Sequence, residues 1–186
     1  MKIREILERN PVIPAIKDND TFQAALNSNN EIVFVIMSNI IDIKNICDKL
    51  KEKEKIVFIH VDMIDGLNSS NIGVDYIVNN IKPDGILTTK SNVVAHAHKN
   101  NIKVIQRFFI LDTISYEKAL QNIKENKVLA VEIMPGLMPK IIKKISSQIY
   151  QPVITGGLVA EKEDIINALN SGALSVSTTN IKLWNI

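Results

Sequence analysis

Apolar and polar positions along the chain fall into two alternating kinds of stretch. Short, nearly continuous apolar runs mark strands buried on both faces. They occur at Pro11–Ile16, Ile32–Met37, Ile56–Val61, Gly85–Thr88, Lys103–Arg107, Leu129–Ile133, Pro152–Thr155 and Leu174–Ser177. Between them, apolar residues recur at helical spacing over Ile41–Leu50, Asn71–Ile81, Asn92–Lys99, Ser115–Ile123, Pro139–Ser147 and Glu161–Asn170. The end signals agree: Asp20-Thr21-Phe22-Gln23 has capping-box spacing, Ser91 is an N-cap, and Gly172 is a stop. Ile3–Arg9 reads as a short helix able to cover one end of a barrel. Strand and helix alternate eight times with no composition shift, so the chain is expected to form a parallel sheet covered by helices. Eight units favour closure into a TIM-barrel-like (β/α)8 fold, one domain over residues 1–186. At roughly 23 residues per unit this is a compact barrel, below the usual ~250 residues, so some helices must be short or missing.

Composition narrows the class. A chain of 186 residues that is 46% hydrophobic can bury one sizeable core. Cys47 is the sole cysteine, which removes disulfide frameworks and zinc ribbons. No apolar run reaches membrane-spanning length and MKIREILERN lacks a signal-peptide core, so a soluble cytoplasmic protein with no membrane partner is expected. The net charge of +2 argues against a protein coated in nucleic acid, yet leaves room for a local basic patch. Lys140, Lys143 and Lys144 form such a face on the seventh helix, where the alternative is an ordinary solvated surface. His96 and His98, two apart on a helix, face different ways and are expected to be solvated rather than a metal pair. No P-loop, G-x-G-x-x-G, G-x-S-x-G or Cys/His constellation is present.

Chemistry-bearing residues gather at the C-terminal strand ends, the rim where barrels place their sites. Lys17 follows the first strand; His60 and Asp62 lie at the third, two apart and pointing the same way on a strand; Thr88, Thr89 and Lys90 end the fourth. Gln106 and Arg107 close the fifth, and Glu132 lies late in the sixth. Arg4, Arg9 and Arg107 are the arginines of the chain, so a guanidinium at the mouth stands out, and it suits bidentate contact with an oxyanion. Gly156 and Gly157 end the seventh strand in a turn where backbone N–H groups can approach a ligand. Ser177, Thr178, Thr179 and Asn180 follow the eighth with hydroxyls and N–H groups at the start of a last helical turn. Loops after strands seven and eight are the usual phosphate grip of a barrel. Plainer alternatives stand beside each: rim salt bridges of Lys17, Lys90 and Arg107 with Asp18, Asp112 or Glu132, an Asp62 that orients a buried His60, and a tight turn with a polar C-terminal cap.

In order, VIPAIKD (12–18), HVDMIDGL (60–67), PDGILTTK (83–90), IQRFFILD (105–112), VEIMPG (131–136), ITGGLV (154–159) and SVSTTNIKLW (175–184) resemble the glycerol-3-phosphate-responsive antiterminators, regulators of glycerol uptake operons. The resemblance implies a small TIM-barrel-like protein without known enzymatic activity. It would bind glycerol-3-phosphate as effector, need no cofactor, and act on the leader mRNA of glycerol-catabolic genes so that transcription passes a terminator. After strand two the family usually shows Gly-Asp where this chain has Ser38-Asn39, a lost carboxylate that bears on ligand contact. HVDMIDG is also similar to the H-x-D-x-M-D-G stretch of metal-dependent pentose-phosphate 3-epimerases. There the pattern wants further ligands that this chain lacks: Thr88-Thr89-Lys90 holds no histidine, and Thr155 stands where an aspartate belongs. No metal is therefore expected, and the regulator ranks ahead of the enzyme. The RNA surface, the target operon and any homo-oligomer lie beyond the sequence.

Overall fold

Eight strands close into a barrel in the computed structural model, which describes residues 2–185. They are β1 (Val12–Ile16), β2 (Ile32–Val35), β3 (Ile56–His60), β4 (Gly85–Thr88), β5 (Val104–Phe109), β6 (Ala130–Met134), β7 (Val153–Gly156) and β8 (Ser175–Thr178). Each pairs in parallel with its neighbours in sequence, and β1 closes onto β8 with Val12 opposite Val176. This is the (β/α)8 architecture expected from the alternating pattern.

Closure sorts the strand residues into two apolar clusters by alternation. One set, including Val12, Val33, Val57, Ile86, Val104, Val131, Val153 and Val176, packs under the helices. The other, Ile13, Ile32, Phe34, Phe58, Leu87, Ile105, Ala130 and Ile154, fills the barrel interior together with Ile3, Ile6 and Leu7 of helix α1 (Ile3–Arg9). Phe34 and Phe58 meet edge to face with centroids 6.1 Å apart. Gly85 is required beside them, because a Cβ there would run into the Phe58 ring. The buried Ser175 hydroxyl donates to the Leu7 carbonyl at 3.1 Å, fastening α1 across the N-terminal end. That end is otherwise filled by hydrocarbon, and Arg107, Glu132, Ser177 and Thr178 are buried toward the C-terminal mouth.

The barrel is wrapped by α2 (Asn19–Leu26), α3 (Ile43–Glu52), α4 (Asn71–Tyr76), α5 (Ser91–Lys99), α6 (Thr113–Glu125), α7 (Pro139–Ser146) and α8 (Lys162–Asn170). A π-helical turn, Ile77–Ile81, prolongs α4, and the eighth unit shrinks to a 3-10 turn, Ile181–Leu183.

Several local readings need correction. The cap of α2 is Asp18, whose backbone is extended and whose carboxylate accepts from Thr21 N at 2.9 Å, so the capping box starts two residues ahead of Asp20. Lys90 is the N-cap of α5, and Ser91 is already helical. Strand β5 runs on to Phe109 because Phe108 and Phe109 stay in register with Ile133 and Met134. Helix α3 starts at Ile43: Asn39 Oδ1 accepts from the N–H groups of Ile41 and Asp42, a local turn that competes with helix and leaves Ile41 exposed. Asn39 also belongs to a two-residue parallel pairing, Ser38–Asn39 with Ile64–Asp65, that no periodicity announces. His96 is not solvated but lies 2.7 Å from Asp75 across the α4–α5 contact. Gly172, at φ 100°, ends α8 as its position suggests. Among the described residues no helix is long and apolar enough to cross a membrane.

Candidate functional site at the barrel mouth

Register brings Arg107 of β5 directly opposite Glu132 of β6. Arg107 Nε donates to Glu132 Oε2 at 2.7 Å, and Ser177 Oγ of β8 donates to the other carboxylate oxygen at 2.5 Å. Strand β7 runs between β6 and β8, so this second bond must cross it. Gly156 makes the crossing possible: a Cβ at that position would meet Ser177 Oγ and come within 3.3 Å of Glu132 Oε1. The rim salt bridge anticipated for Arg107 is thus a buried one, with Glu132 wholly enclosed. Burying both charges is tolerable only because each oxygen of Glu132 has a donor. Among the described residues the guanidinium makes no other hydrogen bond to protein, and Arg107 lines the cavity at the mouth.

His60, the last residue of β3, is buried beside this pair, with its Nδ1 unpartnered. Burial, aided by the positive charge of Arg107, pushes its pKa down to about 4, so the ring is neutral near neutral pH. Asp62 does not share a strand with it. Asp62 sits in the 3-10 turn Val61–Met63, 3.9 Å from His60 Nδ1 and out of hydrogen-bond range. Its carboxylate instead accepts from Thr88 Oγ1 at 2.9 Å, Thr89 N at 2.6 Å and Thr89 Oγ1 at 2.9 Å. Asp62 therefore ties the loop after β3 to the loop after β4.

Beyond β7 the backbone turns through two consecutive left-handed residues, Gly157 at φ 79° and Leu158 at φ 62°. Gly157 takes this conformation freely; Leu158 does so at a cost, and its side chain is left exposed. The loop is tied to the one after β6 by Gly136 N, which donates to Gly157 O at 3.0 Å. Between these loops and the end of β8 lies a cavity of about 120 Å³, with Arg107, Met134, Gly157, Leu158, Val159, Ser177, Thr178 and Thr179 around it and Ala15 and Ile36 on the far wall. Its size is well below the roughly 300 Å³ at which sites for larger ligands begin. One cationic edge, two or three hydroxyls and apolar walls suit a small anion with a short polar tail.

The structure thus gathers Arg107, Gly157, Ser177, Thr178 and Thr179 around one cavity, with Gly156 and Glu132 directly against Ser177. It does not bring Lys17 or Lys90 there. Both are exposed, and neither makes an ion pair among the described residues. Lys17 instead lines a separate groove of about 430 Å³ between α2 and α3, along with Ser38 and Asn39. The last turn also has fewer free donors than its sequence suggests: Asn180 N donates to Thr178 Oγ1 and Lys182 N to Asn180 Oδ1. Lys140, Lys143 and Lys144 are exposed on α7, with Lys144 Nζ 4.4 Å from the centre of the Tyr116 ring. Sequence reasoning passed over Met134, Leu158 and Val159. Their place at the end of β6 and just beyond β7 is the signal that finds them, since composition reads them only as core.

Three comparisons bear on the arrangement. A family described as glycerol-3-phosphate responsive antiterminator matches residues 12–184. The Escherichia coli K12 protein YgcP is 36% identical over 186 residues, covering 100% of this chain and 97% of its own. The crystal structure of a glycerol uptake operon antiterminator regulatory protein from Listeria monocytogenes superposes with a TM-score of 0.89 at 28% identity, covering 93% of this chain and 94% of that one. That of a glycerol uptake operon antiterminator-related protein from Thermotoga maritima gives 0.84 at 30% identity, covering 95% and 99%.

Proposed function

This chain belongs to the glycerol-3-phosphate responsive antiterminator family, and on that premise we propose that it is a non-catalytic sensor of glycerol-3-phosphate acting on the leader mRNA of glycerol-uptake genes. The observation that carries the reading is the cavity itself, where the buried Arg107 meets the loops after β7 and β8. In this account the phosphate sits against Gly157 and the Ser177–Thr179 segment, paired with the terminal nitrogens of Arg107. Glu132, enclosed behind Arg107 and Ser177, holds both in place for the ligand and His60 faces the glycerol hydroxyls, while Lys17 and Lys90 add positive charge at the rim that draws the anion in. Asp62 enters as the anchor of Thr88 and Thr89.

The same geometry supports a sensor over an epimerase-like enzyme. A metal would have to draw on His60 and on Asp62, whose oxygens are committed to Thr88 and Thr89. Thr155, at the position where the epimerase pattern has aspartate, turns its hydroxyl away to the Ile133 carbonyl at 2.7 Å. No group of three or more His, Cys, Asp or Glu able to hold a metal exists among the described residues.

For the ligand to regulate RNA it must bind two conformations unequally, and the loops after β6 and β7, which meet through Gly136 and Gly157, are the elements it would bias. RNA contact is assigned to the exposed α7 lysines, Lys140, Lys143 and Lys144, with affinity that falls as salt rises. A mobility-shift titration of leader RNA, with and without glycerol-3-phosphate, tests this. The ligand should raise RNA affinity, and RNA should raise ligand affinity by the same factor. Leader RNA that binds identically with and without ligand would contradict direct antitermination.

A further inference from the structure

The N-terminal end of the barrel carries a groove of about 570 Å³ that the ligand reading does not use. It lies where β5 and β6 begin and where the chain turns from α7 into β7. Lys103, Lys127, His98 and Tyr150 line it over an apolar floor that includes Val128 and Leu129, and no carboxylate is among its lining residues. Tyr150 is 97% exposed as a residue, yet its backbone is pinned. Arg4 Nη2 donates to the Tyr150 carbonyl at 3.2 Å, and the side-chain amide of Gln151 donates to the Ile123 carbonyl at 3.2 Å. A ring held by its backbone and left in water beside cations is a platform for stacking.

We propose that this groove binds single-stranded RNA, with Tyr150 stacked on an unpaired base and Lys103 and Lys127 on the flanking phosphates. A duplex buries its bases and offers the ring no face, whereas single strands are recognised by stacking over a cationic track. An acidic peptide would meet the lysines but leave the ring without a purpose. The groove opens between the segments that follow α6 and α7, which bring Lys127 and Tyr150 to it. Gln148 Nε2 donates to the Tyr116 hydroxyl at 3.0 Å, binding the end of α7 to α6, and α6 itself leads through Asn126 to Lys127. Lys103 and Lys127 precede β5 and β6, the two strands that carry Arg107 and Glu132 to the opposite end. The inference rests on the RNA-acting reading above and gives that reading a surface.

The test is fluorescence anisotropy of the full chain with a labelled oligouridylate and with a duplex RNA of equal length, across a salt series. Calorimetric binding of glycerol-3-phosphate is followed in parallel. The single strand should bind more tightly than the duplex. Tyr150→Ala should weaken it about tenfold with little change in salt dependence, and Tyr150→Phe should restore it. Lys103→Gln with Lys127→Gln should lower the slope of log affinity against log salt by about 0.7 per lysine. All variants should keep their affinity for glycerol-3-phosphate, which also reports that they fold. If the wild type binds the single strand and these variants bind it equally well, the groove is not the site, although the RNA reading stands. If oligoglutamate displaces oligouridylate at equal charge, base recognition is wrong. If the wild type binds neither RNA, this inference and the RNA-acting reading fall together, while glycerol-3-phosphate binding is judged separately.

Discussion

A single glycine explains why three charged or polar side chains can share the barrel mouth. Gly156 leaves the gap through which Ser177 reaches Glu132, and Glu132 in turn holds Arg107 by its Nε. Removing the carboxylate would strand a buried guanidinium, a change of the kind that costs about 3–5 kcal/mol. From sequence, Arg107 could be singled out because arginine is scarce, and Glu132 because it interrupts an apolar strand. Their pairing stood among the alternatives as a rim salt bridge, but its burial and the bond from a serine 45 residues away could not be read. Contacts that cross a closed barrel depend on strand register, which local pattern does not specify. His60 shows the same limit: its place at a strand end was legible, but its isolation from Asp62 was not. The isolation has a measurable consequence. With a folded pKa of about 4 against an ordinary 6.5, the unfolded chain binds the proton first, so stability should fall as pH drops through that window and level off above it. Urea melts of wild type and His60→Gln over that range should diverge, the variant showing the shallower decline. Parallel declines would mean that His60 is not buried neutral in the folded state.

Among the elements, the loop after β7 has the most to do. It follows a strand whose apolar run was plain in the sequence, and the glycine pair correctly marked its end. What the pair did not reveal is that Leu158 also takes a left-handed conformation and turns the backbone around the cavity. Element boundaries slipped for local reasons of this kind. Asn39 and Asp18 capture backbone N–H groups one or two residues away from where periodicity placed the turn or cap. The eight strands themselves were legible because a strand buried on both faces has no polar positions to confuse it. If the β7 loop grips the phosphate, charge at Gly157 must repel it. Gly157→Asp adds left-handed strain of about 1–2 kcal/mol, but its Cβ would meet only the flexible end of Met134, so the variant should fold. Gly157→Ala carries the same strain without charge. Thermal melts with glycerol-3-phosphate should show a ligand shift for Gly157→Ala and none for Gly157→Asp; equal shifts would reduce the glycine pair to a turn.

At the scale of the whole molecule, the barrel is a tube closed at one end by hydrocarbon and α1 and opened at the other around Arg107. The N-terminal closure was anticipated from the spacing of Ile3, Ile6 and Leu7. After β8 the place of an eighth helix is taken by a 3-10 turn, Ile181–Leu183, capped by Asn180. A small polar cavity lies at that mouth, and the proposed ligand for it is glycerol-3-phosphate. Titration calorimetry with glycerol-3-phosphate, glycerol and inorganic phosphate tests it most directly. Stabilisation follows RT ln(1 + [L]/Kd), so a concentration near 100 Kd should add about 2.7 kcal/mol and give a matching rise in melting temperature. The account predicts saturable one-to-one binding of glycerol-3-phosphate, weaker binding of phosphate, none of glycerol, and loss of the signal in Arg107→Ala. Equal heats for glycerol and glycerol-3-phosphate, or an Arg107→Ala protein that binds as the wild type does, would contradict it.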